Sequence, residues 1–334
     1  MKIGIIGPPQ SGKTTVFKVL IETDVSGSLG VFKVVDRRLE KLSEAMSSRK
    51  ITYPEFIFVD LGPTSEITKK ALQTLQDIDM FLCVIGAFFS EDPKGDLENS
   101  LTDIIISDLE FVQNRMLRLQ KEQKRPESAQ ELELLERCQS TLSEGRFLSE
   151  LGLSERELRL FSGLTLLSLR PLLVVINISD EVDEVSEDRI RAVENYCSSR
   201  GIGCIRFFGK IETELLELEK SEREKFLNEL GGYYDFKTNL SKSIIQQLRL
   251  ITFFTVGEKE ARAWHLRVGL PVIEAAGKIH TDMKRGFIRA EVVNYEDFVR
   301  LGSIHKAREA GLLKIEGRDY IVKDGDIINI RFNV

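Results

Sequence analysis

Ile3-Gly4-Ile5-Ile6-Gly7-Pro8-Pro9-Gln10-Ser11-Gly12-Lys13-Thr14-Thr15 lies at the start of the chain and decides its fold class. Ile3 to Ile6 is a β-branched run closed by glycine and reads as a buried strand. Gly7 to Gly12 reads as a turn, and Lys13 to Leu20 as a helix. Gly7 to Thr14 fits GxxxxGK[ST], in the strand–turn–helix context that gives this pattern its meaning. Glycines let backbone N–H groups converge on phosphate oxygens, and the helix N-terminus adds a positive dipole. Lys13 supplies a point charge for the β- and γ-phosphates, and Thr14 a hydroxyl for Mg²⁺. The candidate phosphate set is Gly7, Pro8, Pro9, Gln10, Ser11, Gly12, Lys13, Thr14 and Thr15.

Similar apolar runs recur downstream. Phe56 to Val59, Phe81 to Ile85, Leu172 to Ile176 and Cys204 to Phe208 read as parallel strands, with helical stretches such as Arg37 to Met46 and Asp188 to Ser198 between them. Alternating strands and helices predict a doubly wound α/β domain whose site lies at the strand carboxyl ends. Three candidate contacts sit there. Asp60 ends one strand and is a candidate Mg²⁺ partner with Thr14. Asn177-Ile178-Ser179-Asp180 has the outline of an NKxD base-reading motif, with Ile178 where a Lys would lie along the base. Gly209-Lys210 stands where a short base-contacting loop follows the next strand. A carboxylate at Asp180 accepts the N1 and N2 donors of guanine, a pair that adenine lacks. The candidate base-binding residues are Asn177, Asp180, Gly209 and Lys210.

Residues 97–149 differ in texture. Leu109, Val112, Met116 and Leu119 repeat at helical spacing, and Leu132, Leu135 and Leu142 continue the stripe after a break at Arg125-Pro126-Glu127-Ser128. This predicts an inserted antiparallel coiled-coil helical hairpin. Its first arm carries Arg115, Arg118, Lys121, Lys124 and Arg125, with Glu122 inside the run. That face reads either as a solvated surface or as a phosphate-facing arm for RNA. Beyond Leu250, strand-like alternation at Ile251 to Val256 and Ala261 to Val268, a helix at Tyr295 to Ala310, and a strand, Asp-Gly turn and strand from Tyr320 to Val334 predict a compact β-rich domain. The expected limits are 1–96 and 150–250 for the α/β domain, 97–149 for the hairpin and 251–334 for the last domain.

The 334 residues allow two or three domains. A formal charge of -6 excludes a general basic coat for nucleic acid. From Ile251 onward 14 Lys plus Arg face 12 Asp plus Glu, leaving 33 against 41 before it, so a slightly basic end sits on an acidic body. Cys83, Cys138, Cys197 and Cys204 form no CxxC pair and no metal spacing, and read as free thiols. His265, His280 and His305 form no local metal motif. Trp264 reads as a core residue or, less simply, as a stacking platform for RNA. Lys284, Arg285 and Arg289 form a basic cluster that reads equally as a track for RNA phosphate or as a solvated hairpin face. No apolar run spans a membrane or makes a signal peptide, so the expected compartment is the cytoplasm and no membrane partner is expected.

The chain resembles the YchF/Obg-like ATPase family of P-loop proteins related to translation factors. The resemblance covers essentially its whole length. It includes Gly7-Pro8-Pro9 with Gly12-Lys13, the Val35 to Leu42 stretch, Asp108-Leu109-Glu110 and the Glu131 to Glu136 helix. It is densest from Leu250 to Glu260, at Ala263-Trp264, Ala275-Ala276-Gly277, Ile279 to Asp282 and Arg285 to Val292, and at the Asp324-Gly325-Asp326 and Arg331 to Val334 end. The resemblance implies a P-loop G domain with a mainly parallel sheet, an inserted helical hairpin and a C-terminal β-grasp (ubiquitin-like) TGS domain. It also implies a bound purine nucleotide, GTP or ATP, with Mg²⁺, and association with ribosomes or RNA through the hairpin arm and the TGS-like domain.

Departures from the family cluster on the γ-phosphate side. Pro63 stands at the glycine of the family's DxxG, and proline has no N–H to give. Gly62 is one residue early, and Thr64 to Lys70 runs straight toward a helix. The segment between Leu20 and Val31 is short, with Thr23, Ser26 and Ser28 as stand-ins for the metal-binding threonine. The loop that carries a family histidine is reduced to Ser90 to Gly95, and no histidine precedes His265. Adenine-favouring family members carry Glu where this chain has Asp180. Binding with slow hydrolysis is the expectation. The alternatives are a non-hydrolysing nucleotide-binding scaffold and a P-loop small-molecule kinase, against which the hairpin and TGS-like end speak.

Overall fold

The computed structural model describes residues 1–21, 27–62, 75–121, 126–161, 164–229 and 235–333. The readings on Thr23, Ser26, Pro63, Thr64 to Lys70, Glu122, Lys124, Arg125 and Val334 lie outside the described residues. The chain divides into two compact units, residues 1–32 with 57–243 and residues 33–56 with 244–334.

Among the described residues of the first unit, six strands form one sheet. Its spatial order is β2 (Leu29–Lys33), β4 (Glu55–Asp60), β1 (Lys2–Ile6), β5 (Met80–Gly86), β6 (Leu172–Asn177) and β7 (Gly203–Phe207). β1 pairs in parallel with β4 and β5, and β5, β6 and β7 continue in parallel. β5 and β6 are buried along their whole length. Helices cover both faces of such a strand, which is why these two lack apolar–polar alternation. One layer comes from α3 (Pro93–Lys121) and α6 (Glu184–Ser199). Leu101, Ile104 and Ile105 of α3 and Ile190 and Val193 of α6 join Phe81, Cys83 and Ile85 in a single core.

α3 continues outward as the first arm of the hairpin, and α4 (Pro126–Ser143) returns. The expected break at residues 125–128 is partly helix, because Pro126 begins α4. Proline suits that first position, where its missing N–H leaves no helical hydrogen bond unmade. Asp108, buried in α3, anchors the hairpin root. Its carboxylate accepts from the N–H of Leu167 (3.0 Å) and from the N–H and hydroxyl of Ser168 (2.7 and 2.6 Å). Arg115 spans the arms to Glu131 at 2.7 Å. Part of the basic run thus holds the hairpin together.

In the second unit the described strands have the order β11 (Lys314–Glu316), β10 (Phe287–Asn294), β12 (Asp326–Phe332), β8 (Leu250–Val256), β9 (Ala261–Arg267) and β3 (Ile51–Thr52). β8 and β9 form an antiparallel hairpin, and β12 lies parallel to β8. With α10 (Val272–Ile279) crossing one face, this is the expected β-grasp arrangement. Val272, Ala275 and Ala276 pack there on Phe253, Ala290 and Ile328. The opposite face is closed by Leu39 and Leu42 of α2 (Arg37–Ala45) and by Phe298 and Ala307. Residues 33–56, which the sequence limits put with the α/β domain, therefore supply an edge strand and a covering helix to the C-terminal sheet.

Two local expectations are corrected. The helix expected from Tyr295 to Ala310 is two helices, α12 (Tyr295–Leu301) and α13 (Ile304–Glu309). Gly302 takes φ +79° and ends the first, while the Ser303 hydroxyl accepts from the Lys306 N–H and starts the second. The strand expected from Tyr320 is a single bridge, Pro271 to Ile321. The strand after the Asp-Gly turn, β12, pairs with β10 and β8 instead. Trp264 takes the structural role: its Nε1 donates to Thr255 Oγ1 at 3.0 Å, and Arg262 lies 4.0 Å over its ring. The four cysteines are free, and no described helix is long and apolar enough to cross a membrane.

His265 is buried on β9 and stacks on Phe56, ring centroids 5.3 Å apart. Burial pushes its pKa down to about 4. The unfolded chain holds His near 6.5, so it binds the extra proton first as pH falls. Stability is therefore full above about 6.5 and is lost toward 4. Between pH 7 and pH 5 this group is expected to cost about 2 kcal/mol. Urea unfolding of wild type and His265→Phe at both pH values checks it. The variant should lose less stability on acidification, and equal losses would contradict the assignment.

Candidate nucleotide site

The turn between β1 and α1 (Lys13–Ile21) is shaped by backbone that few side chains allow. Gly7 has φ +141°, Gly12 +98° and Gln10 +62°. A Cβ on Gly7 would strike the Val84 carbonyl of β5, so only glycine lets the loop lie so close to the sheet. Gln10 is a non-glycine residue in the left-handed region, a strain that functional loops commonly hold. Pro8 is half-buried, Pro9, Gln10 and Thr14 are exposed, and Thr15 is half-buried.

Inside the loop the Lys13 ammonium donates to the carbonyls of Pro8 (2.6 Å) and Gly7 (3.1 Å). Lys13 is buried, which lowers its pKa, while the charge of Asp60 acts in the opposite direction. The Ser11 hydroxyl is also buried and has no hydrogen-bond partner among the described residues. A buried cation that donates, among the described residues, to carbonyls alone, beside a hydroxyl without a partner there, fits a polyanionic phosphate. The hard oxygens of Thr14, at the start of α1, and Asp60, at the end of β4, suit Mg²⁺. Asp60 Oδ1 here accepts from the Gly62 N–H at 3.0 Å. The one glycine near the switch thus spends its N–H on the carboxylate. Ser28 gives its carbonyl to the Asp60 N–H at 2.8 Å.

Asn177 ties the two ends of the site together. Its Nδ2 donates to the Ser11 carbonyl at 3.1 Å, in a buried bond. Its amide fills the space a Cβ on Gly12 would need, and its Oδ1 lies 2.7 Å from where a Cβ on Gly209 would stand. Gly209 begins α7 (Gly209–Glu217), so the predicted loop residues Gly209 and Lys210 are the first residues of a helix. Lys210 reaches Asp180 Oδ2 at 2.9 Å, and this bond raises the Lys210 pKa. Asp180 Oδ1 is buried without a partner. Ile178 is buried in the core and is not laid along the site mouth.

One feature carries no sequence signal strong enough to place it. A cavity of about 270 Å³ lies beside Ile178, lined also by Phe88, Val182, Ser186 and Ile190. The loop from Ser90 is a built turn, with the Ser90 hydroxyl donating to Asp96 (2.6 Å) and the Gly95 N–H donating to Asp92 (2.9 Å). It holds no histidine, as its sequence implies. Among the described residues no cluster of three or more His, Cys, Asp or Glu could hold a metal by itself.

The family model YchF-GTPase_C, described as a protein of unknown function, matches residues 250–333. The chain is 33% identical to the Ribosome-binding ATPase YchF of Bacillus subtilis (strain 168), over 99% of both chains. It is 30% identical to the Ribosome-binding ATPase YchF of Mycoplasma genitalium (strain ATCC 33530 / DSM 19775 / NCTC 10195 / G37), over the full length of each. The solved structure of the Schizosaccharomyces pombe YchF GTPase superposes with a TM-score of 0.86 at 23% identity, covering 99% of this chain and 97% of that one, and shows the same fold.

Asn177→Ala removes the partner of a buried carbonyl and opens the space between Gly12 and Gly209. It is expected to cost about 1–3 kcal/mol of stability and to weaken nucleotide binding at least tenfold. Gly12→Ala, which combines an overlap with an unfavourable φ, should also lose binding. Denaturant unfolding and calorimetric titration check both. Wild-type affinity in Asn177→Ala would show that the amide does not shape the cradle.

Proposed function

The chain belongs to the YchF family, and from that premise we propose that it is a ribosome-associated, nucleotide-binding P-loop protein that prefers ATP and hydrolyses it slowly. The observation that carries the nucleotide reading is the buried Lys13 ammonium inside the Gly7 to Thr14 loop, held only by two carbonyls. Lys13 and the loop N–H groups would hold the α- to γ-phosphates. Thr14 and Asp60 would hold Mg²⁺, which when bound neutralises phosphate charge. The relatives' name, Ribosome-binding ATPase, supports the ribosome as partner, and ribosome association supports a cytoplasmic location.

The preference for adenine follows from Asp180. A guanine would present N1–H and N2–H to both carboxylate oxygens. Here Lys210 holds Oδ2, and Oδ1 is buried, so the pair of free oxygens that guanine needs is not presented. The single adenine N6 amino group needs one acceptor. The lost bond to a charged oxygen is worth about 1.5–3 kcal/mol, so ATP should bind at least about tenfold tighter than GTP. Lys210→Ala frees Oδ2 and should narrow that gap.

Slow turnover follows from the γ-phosphate side. Pro63 offers no N–H, the Gly62 N–H is directed to Asp60, and no histidine stands at 90–95, the end of a loop and the first turn of α3. Phosphoryl transfer needs positioned water and charge stabilisation besides binding. The same observations favour the second reading, a scaffold that binds without hydrolysis.

Calorimetric titration with ATP and GTP plus Mg²⁺, with phosphate-release assays, tests these points. Lys13→Ala should bind neither nucleotide measurably. Wild type should turn over on the order of 10⁻³ per second or less, the range of P-loop proteins without an inserted arginine. GTP preference would overturn the adenine reading. Turnover near one per second, abolished in Lys13→Ala, would overturn the weak-hydrolysis reading. Co-sedimentation with ribosomes tests the partner.

A further inference from the structure

β11 is the outermost strand of the β-grasp sheet. It pairs with β10, and among the described residues no strand lies on its far side. An unpaired edge presents backbone N–H and C=O groups to any other extended chain. Ile315, in the middle of β11, stands opposite Glu291 of β10 and is 65% exposed. Lys314 and Glu316 alternate to the other face. On the Ile315 face, Arg289, Arg308 and Arg331 surround Glu291 in a concavity of about 390 Å³, walled by Leu313 and Ile315. Arg289 and Arg331 stand directly opposite each other on β10 and β12, a relation in which like charges destabilise a sheet. Glu291 is buried and accepts from Asn329 Nδ2 and Arg331 at 3.1 Å each, and Arg308 lies 3.6 Å from its other oxygen. Burial pushes its pKa up, but the bonds from Arg331 and Asn329 outweigh it and hold the carboxyl below its ordinary range. Among the described residues Arg289 has no ion-pair partner. Three exposed guanidiniums thus face one carboxylate.

The basic cluster read from the sequence divides accordingly. Lys284 is committed to Glu274 at 2.7 and 2.8 Å, and Arg285 faces Asp282 at 3.9 Å. Arg289 belongs instead with Arg308 and Arg331, beside the sheet edge. Gly317, the residue after β11, has open space where a side chain would stand, so the edge is not walled off there.

We propose that the unpaired edge of β11 and the arginines beside it dock an extended acidic segment of another protein. The segment adds a strand to the sheet and sets carboxylates against Arg289, Arg308 and Arg331. Guanidinium forks match carboxylates in bidentate fashion, and two carboxylates balance the excess of three arginines over Glu291. Two observations choose a polypeptide over a nucleic acid. The strand edge offers a hydrogen-bond ladder that a peptide backbone completes. The pocket walls are aliphatic and no aromatic ring lines them, so a base finds no stacking surface, while a valine or leucine side chain finds an apolar one. In an added strand every second side chain falls on the arginine face. The segment therefore carries acidic and aliphatic residues at alternate positions. Because β11 is only three residues long, its edge supplies few backbone bonds, and the arginines carry much of the affinity.

The test uses the full-length protein and the fluorescein-labelled peptide Glu-Thr-Val-Thr-Glu-Thr-Val-Thr-Glu, followed by anisotropy. Arg289→Gln/Arg331→Gln is expected to weaken binding about tenfold. Lys284→Gln, which changes the charge outside the pocket, should leave it unchanged, and retained thermal midpoints establish that the variants fold. The same peptide with Lys in place of Glu should not bind. Two further peptides carry N-methyl groups on the odd or on the even backbone amides, which blocks one edge of the added strand or the other. One should bind and the other should not. Equal behaviour of the two overturns strand addition. Absence of wild-type binding, or unchanged affinity in the double arginine variant, overturns the proposal. So does a uridine RNA that binds more tightly than the acidic peptide and loses affinity in the same double variant.

Discussion

One buried amide, that of Asn177, sets the geometry of the candidate site. It stands at the end of β6, donates to the Ser11 carbonyl, and fills the space that side chains on Gly12 and Gly209 would occupy. The phosphate turn, the base-side loop and the start of α7 are therefore fixed against one side chain. This explains why two glycines lie where they do, almost 200 residues apart in sequence. Their lack of a Cβ serves close approach of the amide, and for Gly12 a left-handed backbone as well. Because the strut is buried, its hydrogen bond is not exchanged for water, and removing either partner exposes an unsatisfied group.

Around this strut the site is unevenly equipped. On the proposed phosphate side stand a buried lysine and a serine hydroxyl without a partner among the described residues, groups suited to an anion. On the proposed base side, Asp180 has one oxygen buried without a partner among the described residues and one held by Lys210. On the proposed γ-phosphate side, the Gly62 N–H is bonded to Asp60. Affinity and turnover thus depend on different residues. A chain can keep the first while losing the second, because ground-state binding and transition-state stabilisation need different contacts.

Much of this was legible in the sequence. GxxxxGKT after a β-branched run gave the turn, and the wholly apolar runs at Phe81 to Ile85 and Leu172 to Ile176 gave the central parallel strands. Elements fixed by distant partners were hidden. Nothing local in Ile51-Thr52 says that it pairs with β9 more than 200 residues later. Gly302 looked compatible with one helix from Tyr295, until its left-handed backbone and the Ser303 cap divided it. Tyr320 to Lys323 alternates like a strand, yet its neighbours leave room for one bridge. Asp180 and Lys210 were each found by motif position. Their mutual ion pair, which changes what Asp180 can read, is visible only in three dimensions.

The comparison of ATP with ADP, each with Mg²⁺, by equilibrium titration of the wild-type chain tests the central claim most directly. A site whose loop N–H groups serve mainly the α- and β-phosphates, with Lys13 reaching the γ-phosphate and no backbone donor from Pro63 there, should hold the two within about tenfold of each other. Binding of ATP more than tenfold tighter than ADP would mean that the γ-phosphate is gripped after all, and would contradict an intact cradle with a depleted switch.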